Sequence, residues 1–219
     1  MKKINVIAID GPSASGKGAL ARGIANKFDF NILDSGVLYR LYAYLSKMSF
    51  SPDEIANQIE GYVEFKKNKE KLIVSYKSTD VTSELRSEII AKSASEHSSK
   101  KEVREALFNI QRNFYDGGGL VADGRDMGTV VFKDAKLKIY LTASVEVRAR
   151  RRYLELQKRG QEVNMPALID DIEQRDLKDS SRELSPLLPA DEAHIIDSSA
   201  MSPEEVVKIT KKLIEEEYL

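Results

Sequence analysis

An α/β fold built on a parallel sheet is predicted by three features of the sequence: five short apolar runs rich in β-branched residues, helix-like stretches between them, and acidic residues where four of the runs end. The runs are Ile4–Ile9, Phe30–Leu33, Leu120–Ala122, Leu137–Leu141 and His194–Ile196. Largely apolar runs of this kind belong to strands buried on both faces, and the spacers between them fit crossover helices. The endings are Asp10-Gly11, Asp34-Ser35-Gly36, Asp123-Gly124-Arg125-Asp126 and Asp197-Ser198. Ligands of open parallel sheets collect beyond the carboxyl ends of the strands, so these endings locate the chemistry.

The first run leads into Gly11-Pro12-Ser13-Ala14-Ser15-Gly16-Lys17, and a helix-like stretch, Ala19–Lys27, follows. Strand, glycine-bearing loop and helix in that order make a phosphate-binding loop. The free N–H groups and positive dipole end of the helix face whatever anion the loop encloses. Gly11 and Gly16 permit torsions and close approaches that a Cβ would block, while Lys17 brings a mobile cation to the β- and γ-phosphates. The expected ATP site is therefore Gly11, Pro12, Ser13, Ala14, Ser15, Gly16, Lys17, Gly18 and Ala19, and the expected fold is that of a P-loop NTPase. No hydroxyl follows the lysine, because Gly18 and Ala19 stand where a Mg2+-ligating Ser or Thr is usual. The ion must then be held by substrate phosphates, water and other groups. Ser13, Ser15 and Asp123 are candidates, and no residue is assigned to the metal outright.

The chain has 219 residues, room for one sizeable core with insertions. With 34 Lys+Arg against 35 Asp+Glu the net charge is -1, which gives no field for nucleic acid or an acidic membrane. No cysteine is present, which excludes disulfides and thiolate chemistry and fits a cytoplasmic protein. No transmembrane stretch is evident. Met1-Lys2-Lys3 resembles the start of a signal peptide, but Asp10 ends the apolar run too early.

Between Tyr39 and about Ser98 the α/β alternation breaks. Tyr62-Val63-Glu64-Phe65 and Leu72-Ile73-Val74-Ser75-Tyr76, joined by Lys66–Lys71, predict an antiparallel hairpin, and a helix is expected from about Ser83. An insert of this kind covers or captures a substrate. Arg148–Lys158 is dense in arginine, breaks at Arg159-Gly160, and gives way to a helix opening at Met165-Pro166, so this segment is read as a short lid. Pro203–Glu217 has the spacing of a packing helix. The resulting division is core 1–38, insert 39–98, core 99–147, lid 148–166 and core 167–219.

Phosphoryl transfer needs two phosphate-bearing partners held in line and cations around the transferring group, which makes arginines near strand ends the residues to seek. Arg40 lies about one helical turn beyond Ser35 and either forks onto a phosphate or sits on the surface. In Asp123-Gly124-Arg125-Asp126, Asp123 suits Mg2+-bound water or a turn cap, Arg125 a phosphate, and Asp126 the amino group of a base. Helical spacing puts Arg175, Asp179 and Arg182 on one face, as a solvated salt-bridge face or as site chemistry. Ser95, His97 and Arg104 fall in a helical region, and neither histidine has a partner at metal-ligand spacing.

These motifs resemble those of bacterial-type cytidylate kinases in the nucleoside monophosphate kinase superfamily. The resemblance is carried by IDGPSASGKG at 9–18, LDSGVLYR at 33–40, VREAL at 103–107, ADGRDMGTVVF at 122–132, and the Arg175–Arg182 run with Ser185-Pro186-Leu187. Lys17-Gly18 is the pairing this superfamily carries, whereas Ala19 stands where Thr is usual. The resemblance implies transfer of the ATP γ-phosphoryl group to CMP or dCMP with Mg2+, by a monomer whose hairpin insert binds the acceptor. It places base contacts on Ser95, Arg104 and Asp126, phosphate handling on Arg40, Arg125 and Arg182, the acceptor pocket at Ser35, and sugar contacts on Arg175 and Asp179. Lys17, Arg125 and Arg182 are then the catalytic set. Insert and lid are expected to close over both nucleotides, with Arg148, Arg150, Arg151, Arg152 and Arg159 the lid residues available to ATP. Two other readings fit parts of the pattern: a P-loop kinase for another small acceptor, and a nucleotide-dependent switch, against which the missing hydroxyl counts.

Overall fold

The computed structural model describes residues 3–67 and 72–218. The chain opens with β1 (Ile4–Asp10), α1 (Lys17–Phe28), β2 (Asn31–Asp34) and α2 (Ser35–Leu45). The segment expected to form an insert continues through α3 (Pro52–Tyr62), β3 (Val63–Lys67), β4 (Leu72–Tyr76), β5 (Thr79–Asp80), α4 (Thr82–Leu85) and α5 (Glu88–His97). There follow α6 (Lys101–Asn113), β6 (Leu120–Gly124), β7 (Ala135–Thr142), α7 (Val145–Lys158), α8 (Met165–Ser180), β8 (His194–Asp197) and α9 (Pro203–Tyr218).

All five expected runs become strands of one parallel sheet, ordered β2-β6-β1-β7-β8. Along β1, Val6 and Ala8 enter the core on one face while Ile7 and Ile9 enter the core on the other, so neither face is left for polar residues. The register sets Asp10 beside Gly124 and Asp34 beside Asp123. The phosphate loop and the turn after β6 therefore leave the sheet side by side.

Asp34 accepts from Val37 N at 3.1 Å and caps α2, while Ser51 and Glu54 form a capping box that starts α3, with Pro52 at its first position. The hairpin pairs Val63 with Tyr76, and β5 adds a third strand to it. Two residues carry no readable periodicity, so β5 is not foreseen by the sequence. Of the turn expected over Lys66–Lys71, residues 68–71 lie outside the described residues. Apolar side chains of the insert, among them Tyr42, Ile55, Ile59, Val74, Leu85 and Ile90, are continuous with Leu33, Leu107 and Leu120 of the core. Helices α7 and α8 share a small cluster of their own, Ala149, Leu156, Leu168 and Ile172.

Two local differences from expectation bear on the site. The helix expected to run through Arg182 ends at Ser180, because Leu187 N returns to donate to Asp179 O at 2.8 Å and the chain must turn back to reach it. After β6 the chain forms a π-helical turn, Met127–Val131, in which Asp126 O accepts from both Val130 N and Val131 N.

Candidate active site

The phosphate loop is shaped by its neighbours. Gly11 has φ 149°, and a Cβ there would sit 2.0 Å from Leu141 O, so only glycine lets the loop leave β1 against β7. Gly16, at φ 102°, is the N-cap of α1, and no side chain caps that end. Ala19 N donates to Gly16 O at 3.1 Å, which leaves the N–H groups of Lys17 and Gly18 for an anion. From outside the loop, Arg148 Nη1 donates to Ser13 O at 3.3 Å and Arg151 Nη1 to Ser15 O at 2.9 Å. These two guanidiniums tie the carbonyls of Ser13 and Ser15 to α7.

Lys17 is buried and donates to Pro12 O at 2.8 Å. Burial first, and then the neighbouring Arg125, pull its ammonium down to about 7. Beside it stands Asp123, whose carboxyl burial pushes up to about 6 against the pull of Lys17. Gly18 lies against that carboxylate: a Cβ on it would come within 3.4 Å of Asp123 Oδ2. Ser15 Oγ is buried without a hydrogen-bond partner.

Six of the acceptor-side residues named from the sequence, Ser95, Arg104, Arg125, Asp126, Asp179 and Arg182, are linked with Ser98 in one network assembled from four segments. Asp126 pairs with Arg104 Nη2, and Arg104 Nη1 donates to Ser98 O at 3.2 Å. Ser98 Oγ donates to Ser95 O and accepts from Arg182 Nη2, both at 2.9 Å. Arg182 also pairs with Asp179 Oδ1, and Asp179 Oδ2 accepts from Arg125 Nε at 3.0 Å. The side chain of Asp179 is only 1% exposed. Burial pushes its carboxyl up, but Arg125 and Arg182 outweigh that and hold it below its ordinary value. Arg125 is correspondingly raised, Asp179 overcoming the burial that would lower it. Asp126 goes the other way, burial outweighing Arg104 and raising it.

Arg175 faces the same cluster, and burial followed by repulsion from Arg125 lowers it to about 10. Arg175 and Arg182 each keep a buried Nε without a hydrogen-bond partner. Ser35 is turned elsewhere, donating to Gln111 Oε1 at 2.8 Å, and Arg40 donates to Leu85 O at 3.2 Å.

The arginines expected to present themselves to ATP from a lid behave differently. Because α7 starts at Val145, directly after β7, Arg148 falls in its first turn and is buried. Its Nε donates to Ala143 O at 2.9 Å and its Nη2 to Asp176 at 2.5 Å, so it braces the loop instead of facing a ligand. Arg151 Nη2 donates to Ser198 O at 2.8 Å. Arg152 pairs with Glu155 and, across to the insert, with Glu88. Arg159 pairs with Glu155 and reaches Arg86 O at 3.4 Å, while Arg150 is exposed.

The amino-acid sequence matches the cytidylate kinase family model over residues 7–216. The chain belongs to that family. A relative named cytidylate kinase from Stutzerimonas stutzeri (strain A1501) is 43% identical over 215 residues, covering 95% of this chain and 94% of the relative. One of the same name from Photorhabdus laumondii subsp. laumondii is 44% identical over 207 residues, covering 92% and 91%. Outside the cytidylate kinase family the backbone is similar to a shikimate kinase from Bacteroides thetaiotaomicron, with TM-score 0.50 and 14% identity over 96% of this chain and 98% of the other. An uncharacterized protein from Eubacterium ventriosum has TM-score 0.52 and 13% identity, covering 98% and 99%. Likeness at that identity speaks for the fold alone.

Several contributors to this site in a cytidylate kinase family chain escape a reading of motifs. Gln111, which holds Ser35, looks like any polar residue on an amphipathic helix. Ser98, Asp176 and the bracing roles of Arg148 and Arg151 depend on contacts far apart in the chain. Asp10 has a visible signal, an acid immediately before the phosphate loop, but its partners lie at Met127 and Gly128.

Proposed function

We propose that this chain is an ATP:(d)CMP phosphotransferase, moving the γ-phosphoryl group of ATP to CMP or dCMP to give ADP and CDP or dCDP. One observation carries the reading: a phosphate loop stands directly beside an arginine-rich network whose buried Arg175 and Arg182 Nε groups lack acceptors. Phosphate oxygens are the acceptors such guanidiniums need. Membership of the cytidylate kinase family favours this over a switch or a kinase for another small acceptor.

In this reading the loop N–H groups and Lys17 hold the β- and γ-phosphates, and the negative charge of the nucleotide restores the ammonium that burial weakens. Arg40, Arg125 and Arg182 hold the acceptor phosphate in line with the γ-phosphorus and spread the charge that develops there. Arg175 and Asp179 face the sugar. Asp126, fixed by Arg104 with Ser95 nearby, accepts from the exocyclic amino group of cytosine, where uracil offers a carbonyl. Magnesium fits the residues present: among the described residues no cluster of three or more acidic or histidine side chains is placed to hold it alone, but Asp123 stands beside the loop. Asp123 and the unpartnered Ser15 Oγ would hold it through water and substrate phosphates, and when bound it neutralises phosphate charge. A cytoplasmic monomer with no nucleic-acid partner completes the reading: the net charge of -1 gives no field for nucleic acid, and the absence of cysteine fits a reducing compartment. No helix among the described residues is long and apolar enough to cross a membrane.

The test is ADP release from ATP and Mg2+ with CMP, dCMP, UMP, AMP, GMP or no acceptor. Strong turnover with CMP and dCMP alone is expected. Equal turnover of UMP overturns the role of Asp126, and turnover without acceptor overturns the kinase.

A further inference from the structure

Asp10 takes no part in the reaction just described, yet it spans the two halves of the site. It is the last residue of β1, immediately before Gly11. Its side chain does not turn toward the phosphate loop; Oδ1 accepts from Met127 N and Oδ2 from Gly128 N, both at 2.8 Å. Those two amides open the π-helical turn that follows Arg125 and Asp126. They are first-turn donors with no carbonyl behind them, and a single carboxylate in bidentate contact satisfies both.

The rest of the turn is seated tightly around this contact. Met127 is fully buried, and a Cβ on Gly124 would come within 2.8 Å of its side chain. A Cβ on Gly128 would lie 3.3 Å from the Lys138 stem and 3.4 Å from Asp10 Oδ2. Arg104 fixes the Asp126 carboxylate, but the backbone that aims Asp126 and Arg125 is fixed from β1, by Asp10. A neutral Ser or Asn at the turn itself would cap a helix end without a buried charge. Burial instead drives the Asp10 carboxyl up to about 7 in spite of both N–H bonds. An arrangement so costly is out of proportion to capping one turn, and in proportion to holding two ligand sites in a fixed relation.

We propose that Asp10 is a positioning residue for the acceptor: by holding the backbone of the turn after β6 it aims Asp126 at the base and Arg125 at the acceptor phosphate, and so sets discrimination between cytosine and uracil. The proposal rests on the (d)CMP kinase reading.

The experiment compares wild type with Asp10→Asn, measuring kcat and KM for CMP and for UMP, ATP affinity by titration, and thermal unfolding. Asparagine has the same shape, but its amide nitrogen must face one of the two N–H donors. The expected result is a fall of about tenfold or more in the CMP-to-UMP ratio of kcat/KM, with KM for CMP raised and ATP affinity within about threefold of wild type. A merely structural role would lower the unfolding temperature and the active fraction without moving that ratio, and this outcome overturns the proposal. An unchanged kcat and ratio overturn it as well. If Asp10→Asn does not fold, Asp10→Ser, which keeps one small acceptor without a misplaced N–H group, is read by the same ratio. Failure of wild type to phosphorylate CMP would refute the kinase reading, whereas wild-type turnover with an unaltered variant refutes only the role of Asp10.

Discussion

Replacing Asp179 by Asn tests the centre of the network. The carboxylate is almost wholly buried and joins two guanidiniums, Arg125 through Nε at 3.0 Å and Arg182 through Nη2. Breaking a buried ion pair by neutralising one partner costs about 3–5 kcal/mol, because the remaining charge is left buried and uncompensated. Asn keeps one acceptor oxygen, and Arg182 retains Ser98 Oγ at 2.9 Å, so the lower end applies, about 3 kcal/mol. That is a large part of the stability of an ordinary domain. Urea unfolding of the nucleotide-free protein at neutral pH measures it, as a shift of midpoint at constant slope. The pH dependence gives a second check. Since the folded-state carboxyl of Asp179 is held below its ordinary value, its contribution is present above the unfolded value, near 4, and is lost as pH falls through the folded one. The gap between wild type and Asp179→Asn is therefore expected to narrow only in acid. A loss under about 1 kcal/mol at neutral pH would refute the reasoning, since it is what a solvated surface pair contributes.

Two further expectations follow from the phosphate loop. Lys17→Ala is expected to lower kcat by about a hundredfold or more while changing CMP affinity little, since the ammonium acts on charge that grows in the transition state; an unchanged kcat in steady-state assays removes Lys17 from the mechanism. Gly11→Ala forces a Cβ to 2.0 Å from Leu141 O at a φ that side chains avoid, so thermal unfolding should show a loss of at least about 2 kcal/mol, with ATP binding lost as well, and an unshifted midpoint would mean the approach to β7 is not tight.

The parallel sheet and the phosphate loop were legible in the sequence, and so were six of the residues that the fold joins in one network: Ser95, Arg104, Arg125, Asp126, Asp179 and Arg182. Short apolar runs and the Gly11–Lys17 pattern are local, and local chemistry survives in one dimension. Strand ends were less legible than strand centres: β6 runs on through Gly124 and β7 begins at Ala135, because neighbouring strands extend the ladder past the apolar run. The capping box at Ser51 and Glu54 is a local signal too, and it marks the start of α3 in a stretch where the apolar pattern alone shows only an insert. Tertiary structure decided which polar groups meet. Asp179 and Arg125 are 54 positions apart, Arg104 and Asp126 are 22 apart, and Asp10 and Gly128 are 118 apart. Arg148 is one of five arginines that the sequence offers to ATP; packing α7 onto the phosphate loop buries it and ties its guanidinium to Ser13 O, Ala143 O and Asp176. Desolvation, which sets the charge of Lys17, Asp10 and Asp123, depends on what the whole chain brings around each group, and no run of residues along the sequence encodes it alone.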